Sequence, residues 1–124
     1  MNYLVVFLGA GLGGALRHGV NVAAARLLGT GFPFGTLTVN VVGGLLMGLV
    51  AGWFALKGEA AQPVRLFLAT GVLGGFTTFS AFSLDVAVLY ERGDVGTAAL
   101  YVVTSVVLAI AGLFAGLAMA RAWG

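Results

Sequence analysis

Long stretches without a charged side chain constrain the fold of this chain more than any other feature. The clearest runs from Leu27 to Leu56. Within it, a helix from about Gly35 to Leu56 would measure roughly 33 Å at 1.5 Å per residue, enough to cross a bilayer. Two more uncharged windows, from Leu66 to Leu84 and from Val95 to Ala120, are also long enough to cross. The sequence therefore predicts membrane-spanning helices.

The N-terminal window, from Met1 to Leu16, is shorter and ends at Arg17 and His18, but apolar residues resume at Val20. We expect a first spanning helix with Arg17 near one end, its head group at the interface or in a cavity. Segments rich in Gly, Pro and charge separate the spans: LLGTGFPFG at 27–35, KGEAAQP at 57–63 and ERGDVG at 91–96. We predict an all-α integral membrane protein with four transmembrane helices in a single domain over residues 1–124.

The composition supports this class and excludes others. Hydrophobic residues make up 60% and charged residues only 8%, with a mean hydropathy of +1.10, whereas a soluble domain carries about a quarter charged residues. The six cations are scattered, so we expect no nucleic-acid partner. No nucleophile, base and orienting group form a set, which argues against an enzyme. The spans contain no central carboxylate of the kind that proton-coupled exporters use.

The loop charges leave the orientation open. Four spans place both termini on one side of the membrane. The cations on that side are Lys57, Arg65 and Arg121, and those on the other are Arg26, Arg92 and, if interfacial, Arg17. Because an excess of Lys and Arg normally sets orientation, this balance predicts insertion in both orientations, unless other features select one.

Glycines recur every four residues along several predicted spans. The sets are Gly9 with Gly13, Gly44 with Gly48 and Gly52, Gly71 with Gly75, and Gly112 with Gly116. Such spacing lets helix backbones approach closely, within or between subunits.

Few polar residues lie inside the predicted spans. Thr36 and Asn40 share one face of the second span, and Tyr101 and Ser105 share one face of the fourth. The Asn40 amide suits either an interhelical hydrogen bond or the coordination of a dehydrated anion. Both interpretations stay open from position alone.

The third span contains GVLGGFTTFSAFSLD at 71–85, which is not the sequence of a plain helix. Its paired glycines and threonines predict either unwound backbone whose carbonyls bind a cation or a helix that is only kinked. Phe76, Phe79 and Phe82 recur every three residues. Their ring edges, which carry partial positive charge, could attract an anion, or the rings could simply pack.

Three motifs together resemble the fluoride channel family called Fluc or CrcB. They are GGALRH at 13–18, PFGTLTVNVVGGLLMG at 33–48 and GVLGGFTTFSAFS at 71–83. The resemblance implies a third helix broken in the membrane and an antiparallel, dual-topology homodimer with two pores. It further implies a fluoride-selective channel of the bacterial inner membrane, in contact with lipid, that lets fluoride leave the cytoplasm passively and lowers its toxicity.

The resemblance also implies roles for individual residues. The fluoride pathway would comprise Asn40, Phe79, Phe82, Ser80, Tyr101 and Ser105. Arg17 matches an arginine near an aqueous vestibule. The backbone carbonyls of Gly74 and Thr77 would hold one structural Na⁺ at the dimer centre, a hard-oxygen site for a hard cation.

This chain departs from the family pattern at two positions. Ala81 stands where the family commonly has threonine, and Asp85 stands where it commonly has glutamate. From its position near the end of the third span, we expect Asp85 at the interface.

Two other functions remain compatible with a small four-span chain. One is a dual-topology exporter of drugs or metabolites, although such exporters normally need an embedded carboxylate. The other is an assembly subunit without transport of its own, in which the polar faces only join helices.

Overall fold

The computed structural model describes residues 2–57 and 62–123, and all regular structure in these ranges is helical. Helix α1 spans Asn2–Leu28 and α2 spans Phe34–Lys57. Helix α3 covers residues 62–76 and consists of an α turn (Gln62–Arg65), a π-helical segment (Leu66–Leu73) and a last α turn (Gly74–Phe76). Helix α4 spans Ser80–Glu91 and α5 spans Val95–Trp123. Most of the predicted loop at 57–63 falls on residues 58–61, outside the described residues.

Four segments of the described chain are long and apolar enough to cross a membrane. They are Asn2–Leu28, Phe34–Ala55, Gln62–Glu91 (α3 and α4 together) and Val95–Trp123. The prediction of four spans in an all-helical chain is confirmed. Helix α1 is longer than its uncharged window, because the apolar residues after His18 continue it to Leu28. Arg17 consequently lies well inside this helix rather than near its end.

Glycines with positive φ end two of the helices. Gly29 follows α1 with a φ of 81°, and Gly93 follows α4 with a φ of 87°. Both conformations are costly for residues with a Cβ. The Gly93 amide donates to the Tyr90 carbonyl at 3.0 Å, and the next amide, of Asp94, donates to the Leu89 carbonyl at 3.0 Å. These bonds satisfy carbonyls that the end of α4 would otherwise leave unpaired.

Helix α2 packs along α5, and α1 packs along α3. Glycines form both interfaces. A Cβ at Gly48 would collide with the Leu113 carbonyl, and one at Gly116 with the Leu45 carbonyl. Likewise, a Cβ at Gly13 would collide with the Val72 carbonyl. The glycine spacing therefore serves close helix packing within one chain.

An apolar cluster lies where α4 meets α5. Its buried members are Phe82, Leu89, Ala98 and Tyr101, with Phe32, Leu37, Val86 and Val102 packed around them. Tyr101 is fully buried, and its ring meets that of Phe32 edge-on at a centroid distance of 5.5 Å. This cluster holds α4 against α5 and fixes the position of Phe82 beside the site described next.

Candidate functional site

Residues 77–79, between α3 and α4, lie outside both helices. Thr77 has extended backbone, with φ −83° and ψ 159°. Two hydroxyls bond locally at this interruption. The Thr77 Oγ1 donates to the Leu73 carbonyl at 2.9 Å, and the Thr78 Oγ1 accepts from the Ala81 amide at 3.0 Å. Because threonine hydroxyls that bond nearby backbone compete with helix, and adjacent glycines propagate helix poorly, the sequence GGFTT ends α3 here.

Asn40 of α2 binds the backbone of the interruption at Thr78. Its Nδ2 donates to the Thr78 carbonyl at 3.0 Å, and its Oδ1 accepts from the Thr78 amide at 2.9 Å. One side-chain amide thus replaces both helical hydrogen bonds that Thr78 loses. The second N–H of this amide remains available for another partner.

A groove of about 430 Å³ opens beside the interruption. Its polar lining comes from Asn40, Thr77, Thr78 and Ser105, and its aromatic lining from Phe79 and Phe82. Apolar residues of α2 and α5 complete the walls: Gly43, Gly44, Met47, Val106, Ala109, Ile110 and Leu113. Four of the six residues predicted for a fluoride pathway therefore share one groove: Asn40, Phe79, Phe82 and Ser105.

The two phenylalanines differ sharply in exposure. Phe79 is 77% exposed, whereas Phe82 is 8% exposed. Their ring centroids are 5.6 Å apart with an interplanar angle of 43°. Phe82 also contacts Tyr101, at a centroid distance of 5.1 Å. Phe82 is thus fixed by its neighbours, while Phe79 presents its ring to the outside of the chain.

Ser105 presents a buried hydroxyl to this groove. The residue is 4% exposed, and its Oγ has no hydrogen-bond partner among the described residues. Leaving a buried polar group unpaired costs about 1–3 kcal/mol. A partner that enters the groove would relieve this cost, and the hydroxyl can donate to an anion.

The groove offers hydrogen-bond donors without fixed charge. None of the described residues that line it has an ionisable side chain. An anion there would meet the free N–H of Asn40, the Ser105 hydroxyl and aromatic ring edges. Among the described lining residues there is no carboxylate to repel the anion and no cation to bind it so tightly that it could not leave.

The remaining predicted pathway residues lie next to the groove. Ser80 is exposed, with its Oγ 3.3 Å from the Thr78 Oγ1. Tyr101 lies behind Phe82, and its hydroxyl donates to Asp85 Oδ2 at 3.0 Å. Tyr101 therefore supports the wall of the groove, and its hydroxyl already has a partner.

The residues predicted for the vestibule and the cation lie in or near the interruption. The Nε of Arg17 donates to the Gly75 carbonyl at 3.1 Å. In the described part of the chain, the carbonyls of Gly74 and Thr77 accept no hydrogen bond. The Gly74 backbone is exposed.

Sequence reasoning missed two contacts. Thr78 was not predicted as a site residue, although its backbone is the partner of Asn40, because the two lie 38 residues apart and no local spacing links them. Asp85 is half-buried and bonded to Tyr101, a contact between helices that its position in the sequence does not indicate. The only sequence signal for the contact between Asn40 and Thr78 is the weak helix propensity of GGFTT.

Comparisons with known proteins show the family of this chain. Residues 4–117 match the family described as CrcB-like protein, Camphor Resistance (CrcB). "Fluoride-specific ion channel FluC 2" of Nitrobacter hamburgensis is 65% identical over 121 residues, which is 98% of each chain. A protein of Rhodopseudomonas palustris strain BisB5, named "Fluoride-specific ion channel FluC", is 66% identical over 98% of each chain.

A third relative bears the same name. It comes from Methylobacterium nodulans and is 61% identical over 124 residues, covering 100% of this chain and 99% of its own. These relatives are named as ion channels, as the resemblance implied, and not as enzymes. From the family match over nearly the whole chain and from these identities, the chain belongs to the CrcB family.

Proposed function

We propose that this chain forms a fluoride-selective ion channel that lets fluoride leave the cytoplasm passively and so lowers its toxicity. The names of relatives with 61–66% identity support this function. The observation that carries it is the groove in which Asn40, Phe79, Phe82 and Ser105 meet, with a buried serine hydroxyl that lacks a partner. In this proposal the chain is a multi-pass protein of the bacterial inner membrane.

Conduction in this proposal works by replacing the hydration of the ion. Fluoride is small and strongly hydrated, so a pore must offer donors in place of water. Asn40 and Ser105 would donate N–H and O–H groups, and Phe79 and Phe82 would present ring edges. Uncharged donors bind the ion weakly at successive positions, which allows it to leave. The Ser80 hydroxyl would continue this path at the surface of the groove.

Arg17 would act near an aqueous vestibule, as its family position implies. Its positive charge would raise the local concentration of anions. Tyr101 would act through Phe82, whose ring it contacts, rather than as a donor to fluoride.

The working unit in this proposal is an antiparallel homodimer whose third helix is broken within the membrane. Residues 77–79 lie in the middle of the candidate span Gln62–Glu91. Non-helical backbone at membrane depth is tolerated only where protein or water covers it. Gly74 and Phe79 are exposed on a single chain, and a second copy in the opposite orientation would cover them. The balanced loop cations support insertion in both orientations.

A structural Na⁺ at the dimer centre fits the donors that this chain offers. The unpaired carbonyls of Gly74 and Thr77 are hard oxygen donors, and two copies would supply four of them. Among the described residues, no cluster of three or more His, Cys, Asp or Glu provides a different metal site. When bound, the ion would neutralise the carbonyl dipoles and join the two copies.

Growth on fluoride tests this function in cells. A fluoride-sensitive bacterial host that expresses the chain should grow at fluoride concentrations that stop the host with an empty vector, and should accumulate less fluoride. Resistance to a cationic dye, measured in the same strains, is the control for a multidrug exporter. Dye resistance without fluoride resistance would favour the exporter, and neither resistance, from protein present in the membrane, would favour the assembly subunit.

A further inference from the structure

The end of α3 leaves one carbonyl whose replacement partner comes from a distant helix. In a continuous helix the Gly75 carbonyl would accept from the amide of Phe79, four residues on. Because the chain leaves the helix at Thr77, that bond is lost. The Nε of Arg17, 58 residues away in sequence, donates to the Gly75 carbonyl at 3.1 Å instead.

Close packing of α1 on α3 brings Arg17 within reach. Gly9, Gly13 and Arg17 lie four residues apart and therefore on one face of α1. Gly9 meets Gly71, and Gly13 meets the backbone between Val72 and Phe76. With no side chain separating the backbones, the next position on this face, Arg17, lies beside Gly75.

The Gly75 carbonyl lies between the carbonyls of Gly74 and Thr77 in the sequence. A peptide unit is planar, so a hydrogen bond to the Gly75 carbonyl fixes the orientation of the whole unit that joins Gly75 to Phe76. The Gly74 carbonyl belongs to the peptide unit directly before this one and the Thr77 carbonyl to the second unit after it, and neither has a partner among the described residues. On the other side of the interruption, Asn40 fixes Thr78 in the same way.

We propose that Arg17 is a positioning residue of the interruption, acting through the hydrogen bond from its Nε to the Gly75 carbonyl. This role rests on the proposed function, because the backbone that it holds borders the proposed pore and cation site. It differs from a vestibule role, in which only the positive charge of the side chain matters. The positioning role requires a hydrogen-bond donor where Nε lies, whereas the vestibule role requires only a positive charge on the side chain.

Three substitutions separate the hydrogen bond from the charge. Arg17→Gln places an amide nitrogen at the same number of bonds from Cα as Nε, so it keeps the donor and loses the charge. Arg17→Lys keeps the charge but has a methylene at that position. Arg17→Met has similar length and neither property.

Hydrogen exchange of the full-length protein measures the positioning directly. The amides of Thr77 and Thr78, which donate to the Leu73 carbonyl and to Asn40, report the order of the interruption. In Arg17→Met we expect their exchange to be about tenfold faster or more, since a bond from a charged donor to a partly buried carbonyl is lost. In Arg17→Gln it should stay within about threefold of wild type. Peptides from the middle of α5 should exchange equally in all variants and serve as the internal control.

The Arg17→Gln variant decides the result. Protection near the wild-type value in Arg17→Gln, with loss in Arg17→Met, supports the proposal. Loss of protection in Arg17→Gln, or equal protection in every variant, overturns it. Fluoride flux in liposomes is the second readout: Arg17→Gln should retain more flux than Arg17→Met, and a flux retained in Arg17→Lys but lost in Arg17→Gln would assign Arg17 to charge alone. Absence of fluoride flux from wild type would reject the proposed function, while the exchange rates would still test the positioning role.

Discussion

At the scale of single residues, Ser105 is the position where a loss of function is best distinguished from a loss of stability. Its hydroxyl is buried without a partner among the described residues, so it contributes no hydrogen bond to the folded chain. We expect Ser105→Ala to leave the thermal unfolding temperature unchanged or slightly raised. If the hydroxyl donates to fluoride, the same change should lower fluoride flux about tenfold, because hydrogen bonds to charged groups are worth about 1.5–3 kcal/mol.

The matched control for this change is Ser83→Ala. Ser83 is exposed, and its hydroxyl donates to the Phe79 carbonyl in the preceding turn at 2.9 Å. It does not line the groove. Unfolding in detergent and efflux from liposomes should be measured on both variants, and equal flux through the two would remove Ser105 from the pathway.

The two phenylalanines of the groove should respond differently to the same substitution. Phe82 is 8% exposed, so Phe82→Ile should lower the free energy of unfolding by about 1–3 kcal/mol and also reduce flux. Phe79 is 77% exposed, so Phe79→Ile should leave the stability of the single chain nearly unchanged and still reduce flux. Unchanged flux in Phe79→Ile would show that the Phe79 ring packs and does not take part in conduction.

At the scale of helices, adjacent glycines in α1 test the packing of α1 on α3. A Cβ at Gly13 would collide with the Val72 carbonyl, whereas a Cβ at Gly14 would meet nothing within 4 Å. We expect Gly13→Ala to lower the free energy of unfolding by about 1–3 kcal/mol, because backbone must move apart. Gly14→Ala should stabilise the chain by up to about 1 kcal/mol, the helix propensity gained. Equal unfolding midpoints for the two variants, followed by circular dichroism in detergent, would contradict this packing.

The helices themselves were predictable because the bilayer imposes simple demands. Windows without charge predict the spans, and the four-residue glycine spacing predicts the close contacts at Gly13 and Gly48. The sequence predicts Arg17 near one end of α1, because a charged residue in a span is expected at an end unless it finds a partner. The helix instead continues well beyond Arg17. The Gly75 carbonyl is that partner, and only the three-dimensional arrangement shows it.

The other differences between the prediction and the structure arise from contacts between segments that lie far apart in the sequence. Asn40 was identified as a polar residue in a span, but its two bonds to Thr78 depend on where α3 ends. The π-helical segment Leu66–Leu73 has no sequence signature of its own. This segment lies one turn before the interruption. Its position beside the groove is typical, because π-helical turns often occur at functional sites.

At the scale of the whole molecule, the balanced cations make a prediction about assembly. Lysines introduced at Thr30 and Glu91, both exposed, should bias the chain toward one orientation, and lysines at Ala122 and Trp123 toward the other. If the working unit is an antiparallel pair, neither biased variant alone should protect a fluoride-sensitive host, and co-expression should restore protection. Full protection by one biased variant alone would show that a single orientation is sufficient.

The central claim is that the groove beside the interruption conducts fluoride and discriminates against chloride. Its most direct test is ion efflux from liposomes that contain the purified protein, with fluoride and chloride electrodes used in parallel. We predict rapid release of fluoride without measurable release of chloride, because the neutral donors of the groove can replace the hydration of the smaller ion. Release of neither ion, from protein shown to be a folded dimer, or equal release of both, would contradict the account.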